Sequence, residues 1–314
     1  MLVLKMPVGR VPRWHARGRS LKTAIKQFIG ALGRIPFVSA WLERPAVYRW
    51  IRRLPAAKLL VPTGWDRKHP FDRAYGTDTS GVIPISELSL GEADSAHAND
   101  YGGSQPSIVR YSLAILPPLD TFKFIDLGCG KGRVLIVASE FPFIDIVGVE
   151  LSPVLVGIAR ANAKIVSLNF PTRTGIRVVE SDAGSYVFPA GNLVLYLYNP
   201  FSEPVLSRVV RALEAAIAAH TLRRVYVVSY NPVMGRCFDT SPAFRRHSAH
   251  YVPYAEDEMG FGPDESDVVV IWQDVGQTES QAGCNARIVV EPSGRRVSLQ
   301  AAPEDAAHHT RQRP

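Results

Sequence analysis

The chain has 314 residues, of which 46% are hydrophobic, and a formal net charge of +7 at pH 7. The apolar fraction is ordinary for a globular protein with a real core, and the length suits one large domain with extensions or two small ones. The three cysteines, Cys129, Cys237 and Cys284, have neither disulfide-framework nor zinc-site spacing. This excludes a disulfide-stapled scaffold and indicates a reducing, cytoplasmic compartment, and we predict no metal site.

The positive charge is concentrated in residues 1–60, which hold thirteen Lys or Arg residues and one acid, Glu43. Apolar residues recur there at helical spacing: Leu21, Ile25, Phe28, Ile29 and Leu32. Charges, glycines and prolines interrupt the apolar runs, so neither a secretory signal nor a transmembrane helix is expected. We therefore predict a basic arm with an amphipathic helix. Such a helix could pack on the core or dock on an anionic membrane surface or a partner, with nucleic acid the less favoured partner.

Residues 61–100 are rich in Gly, Pro, Asp and Ser and predict a loop-rich connector. Its aromatic and charged residues either contact a substrate or pack the arm against the core: Phe71, Asp72, Arg73 and Tyr75. A polar turn at 101–106 then precedes an apolar helical pattern that Pro117 and Pro118 end.

Residues 122–150 predict a strand, a glycine loop, a helix and a second strand that ends on an acid. The buried strands are residues 122–127 and 144–149, and the helix runs from Arg133 to about Phe141. Glycines allow a ligand to approach the backbone closely, and the helix N-terminus presents free N–H groups. Glu150 can accept hydrogen bonds from both hydroxyls of a ribose.

The glycine spacing discriminates between two ligands that contain a ribose. A dinucleotide site has the pattern G-x-G-x-x-G, whereas Gly128, Gly130 and Gly132 form G-x-G-x-G. Asp126 precedes this loop, and a carboxylate there would repel a pyrophosphate but suits an ammonium group. S-adenosylmethionine (SAM) carries an ammonium, a ribose and an adenine.

The segments DLGCGKGR (126–133) and GVELSP (148–153) resemble motifs of the class I, seven-strand, SAM-dependent methyltransferases. The resemblance runs from about residue 101 to 273 and is specific for the cofactor rather than for the substrate. It implies SAM as cofactor and a set of residues that bind it: Tyr101, Asp126, Gly128, Cys129, Gly130, Gly132, Glu150, Leu151 and Asp182. In this family an acid after the third strand binds the adenine amino group, and Asp182 matches that place better than Glu180. Tyr101 and Gln105 resemble a segment that closes over SAM in several lysine methyltransferases.

Asn199, Pro200 and Phe201 follow a fourth predicted strand, residues 193–198, and we predict that they border the methyl acceptor. They resemble the N-P-P-[FY] motif of enzymes that methylate amino nitrogens. The match is partial, because this chain has a single proline there. A plain strand-to-helix turn is the alternative.

The remaining pattern predicts strands at 176–179, 224–230, 244–251 and 268–272, with the last two paired antiparallel at the sheet edge. His247 and His250 fall on opposite faces of their strand, and we interpret them as structural. Residues 274–314 are polar. A weak hairpin over 287–290 and 296–299 is the only structure we expect there, followed by a disordered end.

Together these patterns predict a Rossmann-like, doubly wound α/β fold with seven strands, the last antiparallel, behind a basic helical arm. The domain boundaries are 1–60, 61–100, 101–273 and 274–314. The predicted function is SAM-dependent methyl transfer to a protein lysine or another amino nitrogen, in a cytoplasmic protein that could also be peripheral to a membrane. A small-molecule or nucleic-acid acceptor and a non-catalytic SAM- or nucleotide-binding module remain alternatives.

Overall fold

The computed structural model describes residues 68–262, 265–277, 284, 286–292, 294 and 296–300. The chain divides into two compact units, Met1–Pro62 and Thr63–Pro314. The predicted arm and its amphipathic helix lie in the first unit, outside the described residues.

The second unit is organised around a seven-stranded mixed sheet. Its strands are β3 (Phe122–Leu127), β4 (Asp145–Glu150), β5 (Ile176–Glu180), β6 (Gly191–Leu197), β7 (Leu222–Tyr230), β8 (Phe244–Pro253) and β9 (Ser266–Asp274). Their order is β5-β4-β3-β6-β7-β9-β8. The strands from β5 to β7 are parallel, and β9 lies antiparallel between β7 and β8. The predicted fold class and the antiparallel last strand are confirmed.

Helices connect the parallel strands and flank the sheet. They are α1 (Pro70–Tyr75), α2 (Glu92–Ser95), α3 (Pro106–Ala114), α4 (Arg133–Ala138), α5 (Pro153–Asn169), α6 (Glu203–Ala218) and α7 (Arg236–Asp239). The Ser-Pro start of α5 has a simple local cause: Ser152 accepts a hydrogen bond from the Leu155 N–H, and proline is tolerated at the first helical position.

The sheet is buried on both faces, as its continuous apolar strands require. Along β3, Phe122 and Phe124 belong to one core cluster, whereas Ile125 and Leu127 belong to the other. All four side chains are at most 1% exposed. Because the pleat sends successive side chains to opposite faces, the run FKFIDL joins the two halves of the core.

Several strands are longer than predicted. β6 begins at Gly191 rather than at residue 193, and β7 begins at Leu222 rather than at residue 224. β4 has the predicted length but is shifted by one residue, to Asp145–Glu150 rather than 144–149. Gly191 and Asn192 extend β6 without an apolar side chain, so hydrophobic patterning does not report them. On β7, Leu222 is buried in the core, but two arginines separate it from the apolar run.

The connector is more ordered than its composition suggests. Its short strand β1 (Val82–Ile83) pairs antiparallel with β2 (Tyr101–Gly102), which directly follows the connector. Asp72 is fully buried and accepts hydrogen bonds from the hydroxyl groups of Thr77, Thr79 and Ser80. Phe71 packs in the core, so these residues hold the connector on the domain.

Tyr75 has the same packing role as Phe71. Its ring stacks on Phe71 with centroids 4.5 Å apart, and its hydroxyl donates to Glu140 at 2.6 Å. Neither these residues nor Asp72 lies at the cavity described below. The structure therefore favours packing over the substrate-contact alternative for this part of the connector.

Beyond the sheet, β10 (Arg287–Val290) and β11 (Val297–Gln300) form an antiparallel hairpin. The Val297 side chain is 5% exposed and belongs to a core cluster, and its N–H donates to Asn231 Oδ1 at 3.1 Å. The Leu299 N–H donates to the Tyr251 hydroxyl at 2.8 Å. The hairpin is thus attached to the sheet by side-chain packing as well as by hydrogen bonds.

Candidate active site

The loop between β3 and α4 requires glycine for two separate reasons. Gly128, Gly130 and Gly132 have φ angles of 77°, 55° and 84°, which side chains rarely adopt. A Cβ on Gly128 would lie 2.3 Å from Pro200 Cβ, and one on Gly130 would lie 2.4 Å from Tyr101 Cε2. The loop is therefore pressed between the β6 tip and the Tyr101 ring.

The predicted site residues come together. A cavity at the C-terminal ends of β3, β4 and β6 is lined by Tyr101, Asp126, Gly128, Cys129, Gly130, Glu150, Leu151, Asp182, Asn199, Pro200 and Phe201. Of the predicted set, Gly132 alone does not line it, because it caps the N-terminus of α4. The position agrees with the rule that open α/β sheets bind ligands at the carboxyl ends of their strands.

Asp126 places an unpartnered carboxylate oxygen in the wall of this cavity. Its side chain is 3% exposed, and Oδ2 has no hydrogen-bond partner among the described residues. Burial, and then the charge of Glu150, raise the pKa of Asp126 well above its ordinary value. A buried acceptor of this kind is satisfied by a cationic donor, so the residue fits an ammonium group.

Glu150 organises the backbone around the same cavity. Its Oε2 accepts from the Gly130 N–H at 2.9 Å, and its Oε1 accepts from the N–H groups of Leu151 and Ser152, each at 2.9 Å. Burial raises the pKa of Glu150, and these donated bonds act in the opposite direction. A carboxylate has about four lone-pair sites, so capacity remains for a ligand hydroxyl.

Asp182 lines the cavity and is held by two contacts. Its Oδ1 accepts from the Gly184 N–H at 3.0 Å, and its Oδ2 pairs with Arg208 Nη1 at 3.1 Å. Arg208 comes from α6 and also lines the cavity. No sequence pattern pointed to Arg208, because helical periodicity shows only that it lies off the apolar face.

The acceptor motif is strained and internally hydrogen-bonded. Asn199 has a φ of 40°, which asparagine tolerates better than most residues. Its carbonyl oxygen accepts from Asn99 Nδ2 at 2.6 Å, and its side-chain oxygen accepts from the Val233 N–H at 3.3 Å. Both oxygens that could hold a substrate nitrogen therefore have partners within the chain.

Residues 97–99 form a strap over this motif. Ala98 makes an isolated antiparallel bridge with Phe201, and the Ser202 N–H donates to the His97 carbonyl at 2.9 Å. The His97 ring Nδ1 lies 2.8 Å from the Ser202 hydroxyl. This strap belongs to the loop-rich connector, where the sequence showed no site signal.

Tyr101 and Gln105, the two predicted lid residues, have different positions. The Tyr101 ring covers Gly130, and its hydroxyl donates to the Thr79 carbonyl at 2.7 Å. Gln105 instead hydrogen-bonds the buried His69 ring at 3.0 Å and does not line the cavity. Tyr101 therefore lies against the glycine loop at the cavity, whereas Gln105 lies outside the cavity lining.

Arg133 holds the backbone segments that contact and follow Tyr101. Its Nε donates to Thr79 Oγ1 at 2.8 Å and its Nη2 to the Thr79 carbonyl at 2.7 Å, while Nη1 reaches the carbonyls of Gly103 and Ser104. The side chain is 4% exposed yet borders the cavity. Arg133 thereby connects the N-terminus of α4 to Thr79 and to the two carbonyl groups that follow Tyr101 and Gly102 in the chain.

No protein-family model and no curated protein matches the chain. TrmN from Thermus thermophilus is 18% identical in a match that covers 61% of this chain and 52% of that one, with a TM-score of 0.40. An RNA methyltransferase from Salinibacter ruber in complex with S-adenosyl-L-homocysteine is 22% identical over 58% of this chain and 98% of that one, with a TM-score of 0.35. A SAM-dependent methyltransferase from Mesorhizobium loti is 15% identical over 52% and 95%, with a TM-score of 0.37.

At these identities and TM-scores the likenesses carry no argument about activity, so the fold assignment rests on the sheet itself. The strand order β5-β4-β3-β6-β7-β9-β8, with β9 antiparallel and a glycine loop directly after β3, defines a class I methyltransferase-like α/β fold.

Proposed function

We propose that this protein is a SAM-dependent methyltransferase. The observation that carries the proposal is the buried, unpartnered Asp126 oxygen in the wall of the cavity that Glu150 and the glycine loop also line. A dinucleotide would bring a pyrophosphate to this loop, where the carboxylate would repel it. A methionine ammonium would supply the hydrogen-bond donor that Asp126 lacks.

Each side of the cavity offers a group that suits one part of the cofactor. Asp126 would orient the ammonium, the backbone of Gly128 and Gly130 would lie along the methionine, and Glu150 would accept from a ribose hydroxyl. Asp182, steadied by Arg208, would accept from the adenine amino group. When bound, SAM supplies a methyl carbon on a sulfonium, and the transfer needs mainly the positioning of donor and acceptor.

We further propose that the acceptor is an amino nitrogen, with a protein lysine as the leading candidate. Asn199, Pro200 and Phe201 border the cavity, and the carboxylate-bearing residues Asp94 and Asp100 line the same cavity. The cavity lining holds five carboxylates against two arginines: Asp94, Asp100, Asp126, Glu150 and Asp182 against Arg133 and Arg208. This excess of carboxylates favours a cationic acceptor over a polyanion such as nucleic acid. A small cationic molecule satisfies the same chemistry.

The first experiment is calorimetric titration of the full chain with SAM, S-adenosylhomocysteine and NAD. We expect binding of the first two, and a preference for NAD would overturn the proposal.

The second experiment incubates the protein with methyl-labelled SAM and cell extract, followed by mass spectrometry of the protein, nucleic-acid and small-molecule fractions. Label on lysine supports the amino-nitrogen acceptor. Label in nucleic acid contradicts it, and SAM binding without any transfer would indicate a binding module.

A further inference from the structure

The wall of the cavity contains a buried arginine that makes no ion pair with the part of the chain that the structure describes. Arg133 begins α4, directly after the glycine loop, and is 4% exposed. No described carboxylate lies within 4.0 Å of its guanidinium. Arg208, which also lines the cavity, pairs with Asp182. Because a buried charge is costly unless it is paired, Arg133 marks a place in the cavity wall for an anion.

The donors of the Arg133 guanidinium are not equally well satisfied. Nε and Nη2 donate to the hydroxyl and the carbonyl of Thr79 at 2.8 and 2.7 Å, which are ordinary lengths. Nη1 makes only longer contacts, 3.4 Å to the Gly103 carbonyl and 3.3 Å to the Ser104 carbonyl. All four acceptors are neutral oxygens, and Gly103 and Ser104 line the cavity. Nη1 is therefore the weakly bonded corner of the guanidinium, and it lies beside the cavity lining.

The opposite edge of the guanidinium is fixed by the connector. The Thr79 hydroxyl that accepts from Nε donates to Oδ1 of the buried Asp72 at 2.6 Å. The Thr79 carbonyl that accepts from Nη2 also accepts from the Tyr101 hydroxyl at 2.7 Å. Asp72 thus supports Arg133 through a hydroxyl group rather than by direct contact. This arrangement orients the guanidinium before any ligand arrives, while its charge has no anion in contact among the described residues.

Charges of opposite sign stand at the two ends of the glycine loop. Asp126 precedes Gly128, Arg133 follows Gly132, and both charged residues line the same cavity. Asp126 Oδ2 needs a donor, and the Arg133 guanidinium needs an anionic acceptor. An amino-acid group, with an ammonium and a carboxylate on one carbon, supplies both.

We propose that Arg133 binds the α-carboxylate in the methionine part of SAM. This role rests on the proposed function and deepens it, because it assigns the negative charge at the amino-acid end of the cofactor. The planar guanidinium would donate charge-assisted hydrogen bonds to the carboxylate, in exchange for the two long contacts of Nη1. Arg208 is less suited to this task, because Asp182 already pairs with it.

The test uses decarboxylated SAM, which keeps the sulfonium, the ammonium, the ribose and the adenine and lacks only the carboxylate. Calorimetric titration of the full chain with SAM and with this analogue measures the preference for the carboxylate. The wild type should prefer SAM by about 10- to 100-fold, since charge-assisted hydrogen bonds depend on that group. Arg133→Gln should lose most of the preference, mainly through weaker SAM binding. Arg133→Lys should lie between the two, because it keeps the charge without the fork of donors.

Arg208→Gln is the matched control. This variant also loses a cavity arginine, but it should keep the wild-type preference for SAM over the analogue. Circular dichroism shows whether each variant is folded, and the wild-type preference is measured without any substitution.

The possible results separate a carboxylate-binding role from a structural one. If Arg133→Gln weakens both ligands by the same factor, Arg133 only holds the connector, and its carboxylate role is overturned. Equal affinity of the wild type for SAM and for the analogue would overturn the role as well, however the variants fold. In both cases SAM binding by the wild type leaves the proposed function standing. A wild type that binds neither ligand would overturn both.

Discussion

At the scale of single residues, Asp126 is a destabilising group placed where a ligand can use it. A buried carboxylate oxygen without a partner costs free energy, because water no longer solvates it. Strongly shifted pKa values of this kind cluster at functional sites. The pKa of Asp126 is raised in the folded state. The free energy of unfolding should therefore fall as the pH rises from the ordinary aspartate range through this raised pKa.

Replacement of Asp126 by Asn should therefore separate stability from binding. We expect the ligand-free variant to melt at a higher temperature than the wild type near neutral pH, because a neutral amide is cheaper to bury than a carboxylate. SAM affinity should fall by roughly 10- to 100-fold, since a charge-assisted hydrogen bond is lost. Thermal unfolding and calorimetric titration measure the two effects. A variant that melts lower and binds SAM normally would contradict both.

A second glutamate, on the neighbouring strand, provides a control for the effect of Glu150 on SAM binding. Glu150→Ala should weaken SAM binding by about 2–3 kcal/mol, because it removes a charged acceptor of a ribose hydroxyl. Glu180 pairs in register with Glu150 on β5, but it is exposed and does not line the cavity. Glu180→Ala should bind SAM normally in the same titration. Equal affinities for a folded Glu150→Ala protein and the wild type would remove the ribose role.

At the scale of elements, glycine is required in the loop between β3 and α4, whereas it lowers stability within α5. Gly130 has a φ of 55°, and the Tyr101 ring occupies the place that a side chain at this position would take. Gly157 lies within α5, where an added Cβ would meet nothing within 4 Å. The same substitution should therefore have opposite signs at the two positions.

We expect Gly130→Ala to destabilise the protein by about 1–3 kcal/mol, through backbone strain and the displaced ring, and to impair SAM binding. Gly157→Ala should stabilise it by about 0.5–1 kcal/mol, because alanine loses less conformational freedom in a helix. Urea unfolding of both variants against the wild type measures the two changes. A stabilising Gly130→Ala would show that the loop does not need glycine there.

The start of α1 carries a pH dependence through His69. The imidazole is 2% exposed, accepts from the Phe71 N–H through Nδ1, and lies 3.0 Å from Gln105 Oε1 through Nε2. The neutral ring satisfies both contacts. Burial, and then the charge of Arg133, lower the pKa of His69 to about 4 from 6.5.

Between these two values the unfolded chain binds a proton that the folded chain does not, so stability should fall as the pH drops from about 6.5 to about 4. The full shift corresponds to about 3 kcal/mol at most. His69→Gln should flatten this part of the stability profile, measured by urea unfolding at successive pH values. The same slope in the variant and the wild type would assign the dependence to other groups.

At the scale of the whole molecule, the cluster of basic residues and the residues that line the cavity lie in different parts of the chain. The thirteen basic residues of 1–60 precede the second unit, and every cavity residue named above belongs to that unit. Within the described ranges, no helix is long and apolar enough to cross a membrane. We propose that the arm docks on an anionic surface such as a membrane, since each Lys or Arg near an anionic bilayer contributes about 1 kcal/mol.

Deletion of residues 1–62 should leave SAM affinity nearly unchanged and abolish sedimentation with anionic liposomes. Liposomes of neutral lipid are the control, and full-length protein should leave the anionic ones as salt is raised. If the arm instead covers the core, the truncated protein will aggregate or lose its cooperative melt. Full-length protein that ignores liposomes at every salt concentration would contradict the docking proposal.

The sequence by itself determined the elements and the cofactor end of the cavity. Two buried strands, the G-x-G-x-G loop, Asp126 and Glu150 all lie within residues 122–150, so local spacing sufficed to predict that they lie together. Apolar periodicity reports which face of an element is buried, and closely spaced glycines report a loop that a ligand or a side chain approaches. Both are short-range effects, so they are readable before any packing is known.

Only the tertiary structure decided the contacts between distant segments. The strap of residues 97–99 on the acceptor motif and the pair of Asp182 with Arg208 join residues 26 to about 100 positions apart. Such contacts depend on how loops with no periodicity pack at the end of a sheet. Their polar side chains carry no pattern until the strand order brings them together, because hydrogen bonding depends on position in space rather than on spacing along the chain.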